Sequence, residues 1–493
     1  MQLKNGQARG LPCVIQRADS VGPLIESIAN SVIISRSSPR CGERLGAPDS
    51  NALTSTSRRP TVRFFLMLTA TAFVWMSSAM AQEKPADWSK GKIEELLALY
   101  QDFHSHPELS FQEERTAAKL ADELKALGVE VTTGVGRRGV VGLLTNGAGP
   151  VVMLRTDLDA LPVVEATGLP FASKVRAKDP KGNDVGVMHA CGHDIHITTQ
   201  IGVARYLATH KDQWRGTVML VGQPAEEVGG GAETMLKDGL FTRFPKPKFA
   251  LALHVSSDMP TGKIGFKAGY ILANVDSVDI TVKGKGGHGA FPHTTIDPIV
   301  QAAHLIVDLQ SLVSRENNPF EPAVITVGSI HGGTKHNIIG DSCRLQLTVR
   351  SYSPETRDRL IEGIKRKAKA AAISAGAPEP TIELSDWTPA TKNDADLVER
   401  VVPTFRRVFG DENVVPVEPS MGGEDFSQYG LAGVPIFMWR LGAVSPDRLA
   451  GWKKEGKTPP SLHSPFFYPD AREALITGVT SMSAAVLDLM PVK

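Results

Sequence analysis

The chain has no excess of either charge. Its 493 residues hold 54 Lys and Arg against 53 Asp and Glu, a formal +1, whereas nucleic-acid binding calls for a clear basic surplus. Cysteine is scarce at four, which excludes a disulfide-stapled scaffold. The apolar run Phe64–Met76 falls short of the roughly 20 residues that span a membrane. There is no internal repeat, and no low-complexity segment beyond the N-terminal prefix. With 42% hydrophobic and 22% charged residues, disorder and collagen-like architectures also fail as descriptions of the whole chain. What remains is a globular enzyme or binding protein, long enough for two or three domains at roughly 150 residues each.

The N-terminal prefix has a texture of its own. Residues 1–57 carry Ser, Arg and Pro without a sustained period, which marks a non-native or disordered extension. Arg58-Arg59 and Arg63 then precede the apolar run, and Ala79-Met80-Ala81 leads into polar Gln82-Glu83-Lys84-Pro85. A basic segment, an apolar core and an A-x-A site predict a signal peptide over 58–81, cleaved after Ala81. The expectation is therefore a periplasmic or secreted protein with no stable membrane anchor, translated from a start shortly before Arg58. Pro60-Thr61-Val62 makes a twin-arginine match weak. The mature chain would hold 45 basic and 49 acidic residues, a formal −4, and only Cys191 and Cys343.

Beyond Ala81 the pattern is α/β. Ile93, Leu96, Leu97 and Tyr100 recur at helical spacing, as do Ala117, Leu120, Leu124 and Leu127. Ser110 with Glu113 predicts a capping box before that second helix. Val140–Leu144, Val151–Leu154, Thr217–Val221 and Ala250–Leu253 are continuous apolar runs, as in strands of a mostly parallel sheet with helices on both faces. From residue 272 the runs alternate instead, at Ser277–Val282 and Arg344–Val349, with β-rich Val324–Ile330 between. Ile299, Ile306 and Leu309 mark one helix there, and Leu360, Ile361 and Ile364 a second behind a Ser353-Pro354 cap. The expected organisation is a catalytic domain in two parts, 88–271 and 385–493, interrupted by an α+β module over 272–384.

Chemistry concentrates just past the apolar runs. Arg155-Thr156-Asp157-Leu158-Asp159 follows the second, and Met188-His189-Ala190-Cys191-Gly192-His193-Asp194-Ile195-His196 packs four metal-capable side chains into eight residues. Gln223-Pro224-Ala225-Glu226-Glu227 and His254 follow the third and fourth, and Leu462-His463-Ser464-Pro465 lies near the C-terminus. Ligands of open α/β sheets bind beyond the carboxyl ends of the strands, so these clusters can converge. Imidazole, thiolate and carboxylate together suit zinc or a neighbouring ion, and a free Glu beside them suits a general base.

These segments, with Asp102-Phe103-His104-Ser105-His106-Pro107-Glu108, Gly284-Lys285-Gly286-Gly287-His288-Gly289-Ala290 and Gly422-Gly423-Glu424-Asp425-Phe426, resemble the aminoacylase/carboxypeptidase family of metal-dependent peptidases. The nearest subgroup is the amidohydrolases that include hippurate hydrolase and the indole-acetyl-amino-acid hydrolases. The resemblance spans about residues 90–490. It implies a zinc-peptidase-like catalytic domain with an inserted lid that also forms a homodimer, and two divalent metal ions per subunit (zinc, manganese, cobalt or nickel). It implies Cys191, His193, Glu227, His254 and His463 as metal ligands and Glu226 as general base. It places His288 across the dimer on the oxyanion, Asn337, Arg350 and Gly423 on the substrate, and Asp157 behind a ligand. The substrate class would be N-acyl or N-aroyl amino acids or small peptides. Arg155 stands where the wider family has a ligand histidine, and Cys191 where it has a bridging carboxylate, as in the amidohydrolase subgroup. Two other readings stay open: Cys191 as a nucleophile, and a non-catalytic binding protein on the same fold. The loop Ala172–Val185 is read either as a wall of the acyl pocket or as a solvent loop.

Overall fold

The computed structural model describes residues 82–492; the segment 58–81 read as a signal peptide and the prefix 1–57 lie outside them. In chain order, the elements that position the site begin with α1 (Ile93–Ser105), α2 (Glu114–Ala126), β1 (Glu130–Val135), β2 (Gly139–Asn146) and β3 (Val151–Asp157). α3 (His193–Thr209), β4 (Gly216–Gln223), β5 (Phe249–Pro260) and β6 (Ile264–Phe266) complete the first half. Then come β7 (Asn274–Lys283), α4 (Pro298–Ser311), β8 (Ala323–Gly332), β9 (Ser342–Ser351), α5 (Pro354–Ala375) and β10 (Thr381–Thr388). α6 (Ala395–Phe409), β11 (Val414–Pro416), β12 (Ile436–Val444) and α7 (Ala471–Leu489) close the chain.

Eight strands form one sheet in the order β1-β2-β4-β3-β5-β12-β6-β11. Its centre, β4-β3-β5-β12, is parallel, and the β1-β2-β4 edge is antiparallel. The apolar runs are continuous because both faces are covered. Leu154, Leu220 and Leu251 face a layer with Phe103, Leu120, Ile201 and Val479 from the helices. Their neighbours Met153, Met219 and Ala252 face Met235, Phe426 and Tyr429. Side chains alternate across a strand, so adjacent residues feed opposite cores.

The second sheet is antiparallel, β8-β9-β7-β10. β7 alternates strictly, and Val278, Ile280 and Val282 meet Leu345, Leu347 and Val349 of β9 beneath α4 and α5. β10 has no counterpart in the sequence reading, because only Thr388 of its eight residues is buried and no apolar alternation betrays it. Of the residues that marked α4, Leu309 is buried and Ile306 packs against the core, but the buried face is wider. It consists of Pro298, Gln301, Ala302, Leu305 and Leu309, while Ile299 is 40% exposed. Small Ala302 and polar Gln301 hold positions that a count of large apolar residues passes over. Ser353 does cap α5, accepting from Thr356 N–H.

The capping box at α2 does not form. Glu113 sits at the N-cap with no side-chain cap bond, and Glu108 takes the role by accepting from Arg115 N (3.0 Å) and Thr116 N (2.7 Å). Ser110 and Glu113 are committed elsewhere. The Ser110 hydroxyl donates to Asp159 (2.6 Å), and Glu113 accepts from Phe111 N and Ala225 N. Replacing Glu108 with Ala is therefore expected to cost about 1–2 kcal/mol of unfolding free energy, the range for a lost N-cap; urea denaturation measures it.

Candidate metal centre

The site is assembled at the end of β3 and the turn after β4. Asp159, two residues past β3, accepts from the backbone N–H of Glu226 and of Glu227, each at 3.1 Å. Glu113 accepts from Ala225 N at 2.8 Å and so holds Ala225 at a left-handed φ of 51°. Both acidic side chains of the turn are thereby aimed by their own backbone. Asp157 ends β3 and accepts from His196 Nδ1 at 2.7 Å, while His196 Nε2 accepts from Val255 N at 3.0 Å. With both ring nitrogens used, His196 ties β3, α3 and β5 together and is not free to ligate.

The other histidines have one nitrogen occupied and one free. His193 Nδ1 donates to the Asp159 carbonyl (2.8 Å) and His254 Nδ1 to the Val255 carbonyl (2.8 Å). Such bonds fix the tautomer and leave Nε2 with its lone pair turned inward. His254 Nε2 lies 3.5 Å from Cys191 Sγ. His193 Nε2 lies 3.8 Å from both Glu226 and Glu227. His463, at a left-handed φ of 69°, is held by its N–H to the Ala190 carbonyl and brings Nε2 to 3.4 Å from Glu227. Gly192 precedes His193 at φ 81° against Val255, where a Cβ would come to 2.6 Å from Cγ2; this position requires glycine.

Negative charge dominates the interior. Asp157, Asp159, Glu226, Glu424 and Asp425 are all buried, with Glu227 beside them. Arg155 binds Asp157 (2.7 Å), Glu424 (2.8 Å), Asp425 (3.1 Å) and the Gln223 carbonyl (3.0 Å). Burial, then Glu424 and Glu227, push Glu226 well above the usual carboxylate range. Burial pushes Glu227 to about 8 and Asp425 to about 7. Burial works against charge on His193, yet Asp157, Asp159 and Glu227 raise it to about 10. Buried His193 Nε2 and Glu227 Oε1 have no hydrogen-bond partner among the described residues. Ligand atoms of Cys191, His193 and His254 lie within 4.8 Å of one another, as do those of Cys191, Glu227 and His463. Sulfur, imidazole and carboxylate donors in an acidic pocket fit divalent cations of the zinc type. A nucleophilic thiolate needs electropositive surroundings. Burial and the two glutamates instead push the Cys191 thiol up, so the nucleophile reading is not supported.

The centre opens into a cleft of about 670 Å³ lined by Cys191, Glu226, His254, Arg350, Gly423 and Arg440 among others. Arg350 reaches it from β9, donating to the Met421 carbonyl at 2.7 Å. His288 and Asn337 are not brought there. His288 pairs with Ile338 in a short exposed ribbon, and Asn337 adjoins it. Residues 172–185 form a hairpin, Arg176–Lys178 with Asp184–Gly186, that does not line the cleft. His104 bridges Asp194 (2.7 Å) and Glu165 (3.1 Å) behind the first turn of α3, and those carboxylates overcome its burial and raise it to about 9. Three contributors escaped the sequence reading: Asp159, Glu113 and Arg440. Asp159 stood in a quoted motif without a role, and Arg440 is a charge inside an otherwise apolar strand.

A cluster of metal-capable donors beyond the carboxyl edge of an α/β sheet, with a carboxylate beside it, defines a hydrolase of the metallopeptidase type. Residues 153–465 match the peptidase family M20/M25/M40, and the chain belongs to that family. It is 36% identical over 350 residues to an N-acetylcysteine deacetylase of Bacillus subtilis, covering 70% of this chain and 87% of the relative. To an IAA-amino acid hydrolase ILR1-like protein of Arabidopsis thaliana it is 33% identical over 371 residues (74% and 82%). The crystal structure of the Bacillus subtilis YXEP protein, described as a dinuclear metal binding peptidase of family M20, is 31% identical. It superposes with a TM-score of 0.66 over 81% of this chain and 98% of that one.

Arg155→Met would leave Asp157, Glu424 and Asp425 buried without their shared cation. The expected loss is about 3–5 kcal/mol, as for breaking a buried ion pair, read from chemical denaturation of the metal-loaded protein.

Proposed function

We propose that the protein hydrolyses the amide bond of N-acyl or N-aroyl amino acids, hippurate among them, or of small peptides. The observation that carries this is Cys191, common to two ligand sets, with the Glu226 carboxylate beside them. Cys191, His193, Glu227, His254 and His463 would hold two divalent ions, zinc, manganese, cobalt or nickel. When bound, such ions acidify water and polarise a carbonyl. Glu226 accepts the proton of the attacking water and returns it to the leaving amine; its raised affinity for a proton suits the second task. Asp159 keeps Glu226 in place through the backbone bond, and Asp157 steadies α3 through His196. Arg350, whose second terminal nitrogen makes no hydrogen bond among the described residues, takes the α-carboxylate. Gly423 lines the cleft beside it. Relatives named as a deacetylase of N-acetylcysteine and a hydrolase of IAA–amino acids support an acyl–amino acid linkage as the substrate class.

His288 and Asn337 complete the site from a second copy, in a homodimer built through the lid. Their exposure on a ribbon outside the cleft supports this reading, as do the exposed apolar Ile299, Val300 and Val307 of α4. The protein is exported, the segment 58–81 acting as its signal peptide.

Glu226→Gln is expected to lower kcat on hippurate or an N-acetyl amino acid by roughly 10²–10⁴-fold, with metal content by elemental analysis unchanged. Chelation should abolish activity, and zinc, manganese or cobalt should restore it; full activity in the chelated protein would overturn the proposal. The dimer has its own test. Glu226→Gln and His288→Ala chains, each inactive, should regain about a quarter of wild-type activity on mixing, since each mixed dimer holds one intact site. N-terminal sequencing of the native protein should begin at Gln82.

A further inference from the structure

Of the two arginines that line the cleft, Arg350 and Arg440, and Arg155 buried behind it, Arg440 is the one whose side chain has no partner among the described residues. Arg155 is saturated by three carboxylates and an amide, and Arg350 donates to a carbonyl and a hydroxyl. The Arg440 guanidinium makes no hydrogen bond to the described residues and has no carboxylate oxygen of theirs within 4.0 Å. Its place is nevertheless fixed. It stands on β12, where all other residues are fully buried, in direct register with the metal-ligand candidate His254 of β5. On its other side it pairs with Gly265, whose missing side chain leaves room: a Cβ there would lie 3.2 Å from that of Arg440. The charges nearest the guanidinium are Glu424, Cys191 and Asp258. Glu424 spends one oxygen on Arg155 and Phe426 N, its other oxygen is unpartnered among the described residues but lies beyond 4.0 Å of the guanidinium, and Asp258 accepts from Ser256.

A guanidinium with five donors, held in a partly desolvated wall and left unpaired, is costly unless an anion joins it. Arg350, on the second sheet, is assigned the α-carboxylate above, which leaves Arg440, on the main sheet, for a different anion. We propose that Arg440 is the binding residue for a second substrate carboxylate, so that the substrates are conjugates carrying two carboxylates. The inference rests on the hydrolase reading above and narrows its substrate class. The second carboxylate belongs either to the amino-acid side chain, as in N-acyl-glutamate, or to the acyl group, as in N-succinyl amino acids.

Two matched pairs separate these sources: N-acetylglutamate against N-acetylglutamine, and N-succinylalanine against N-butanoylalanine. In the wild type the dicarboxylate member of one pair should be favoured in kcat/KM by about 10- to 100-fold, the value of a charge-assisted pair. Arg440→Met should bring that ratio close to one, chiefly through KM, and Arg440→Lys should restore part of it. A wild-type ratio near one in both pairs overturns the proposal. So does an equal loss on both members of a pair in Arg440→Met, which would make Arg440 a structural counter-charge. Calorimetric titration of the zinc-loaded protein with glutarate reads the subsite without turnover. If no conjugate is hydrolysed, the hydrolase reading fails. The carboxylate subsite then stands only if Arg440→Met weakens glutarate binding tenfold or more, and falls if it does not.

Discussion

The structure is organised around a concentration of buried carboxylates that no apolar core would tolerate unaided. Taking each such charge out of water costs several kcal/mol, and six of them meet at the carboxyl edge of β3 and β4. The offsetting interactions are all specific: Arg155 across three acids, the N–H groups of Ala225, Glu226 and Glu227, and His196 against Asp157. None survives a shift of an ångström in the strands that supply it. That is why two of the few non-glycine residues with left-handed backbone, Ala225 and His463, lie here. Strain of that kind persists only where the surroundings over-determine it. A pocket with this sign of charge also binds cations and folding together, because a cation stabilises only the state in which the carboxylates are gathered.

Each ligand candidate is aimed by a bond on its far side. His193 and His254 are tied by Nδ1 to carbonyls, Glu226 and Glu227 through Asp159, and His463 through its own N–H to Ala190. The same loop, 188–192, thus supplies Cys191 and receives His463. Asp159 serves His193 with its carbonyl and the two glutamates with its carboxylate, so one residue sets the separation between imidazole and acid. Ser110 and Glu113, which look like a helix cap in one dimension, serve the site in three: the first orients Asp159 and the second holds Ala225. A capping box satisfies two backbone donors, but here Glu108 satisfies the helix, and the Ser110 hydroxyl is left for Asp159.

This exchange shows where the sequence was legible. Buried parallel strands announce themselves as apolar runs, and residues just past their ends carry chemistry, so the ligand cluster and its neighbours could be found from Val151, Thr217 and Ala250 onward. The second sheet was visible as alternation in β7 and β9, each of which buries one face. β10 was not, because its residues are largely exposed, and of the three residues that marked α4 only Ile299 points outward, on a helix whose buried face includes Ala302 and Gln301. Long-range partners were hidden as well. That His196 is consumed by Asp157 and Val255, or Ser110 by Asp159, depends on which strands neighbour each other, and periodicity carries no information on that.

The division between the two sheets explains how one chemistry can serve many substrates in such a fold. Most of the candidate metal ligands, and Glu226, stand on or beside α3, β4 and β5, locked by the carboxylate network. Arg350 stands on the other sheet, and His288 and Asn337 on a ribbon beside it, where substitutions alter recognition without disturbing that network. Arg440 breaks the pattern, since it reads the cleft from the strand next to His254. An unpaired cation there raises the cost of gathering metal ions nearby and is useful only if an anion is brought to it. Glu424 gives one oxygen to Arg155 and Phe426 N, and its other oxygen, buried and without a hydrogen-bond partner among the described residues, lies beyond 4.0 Å of the Arg440 guanidinium. On the proposal above the missing partner arrives with the substrate, so that the main sheet, which carries the carboxylate network, rather than the second sheet recognises the second negative charge.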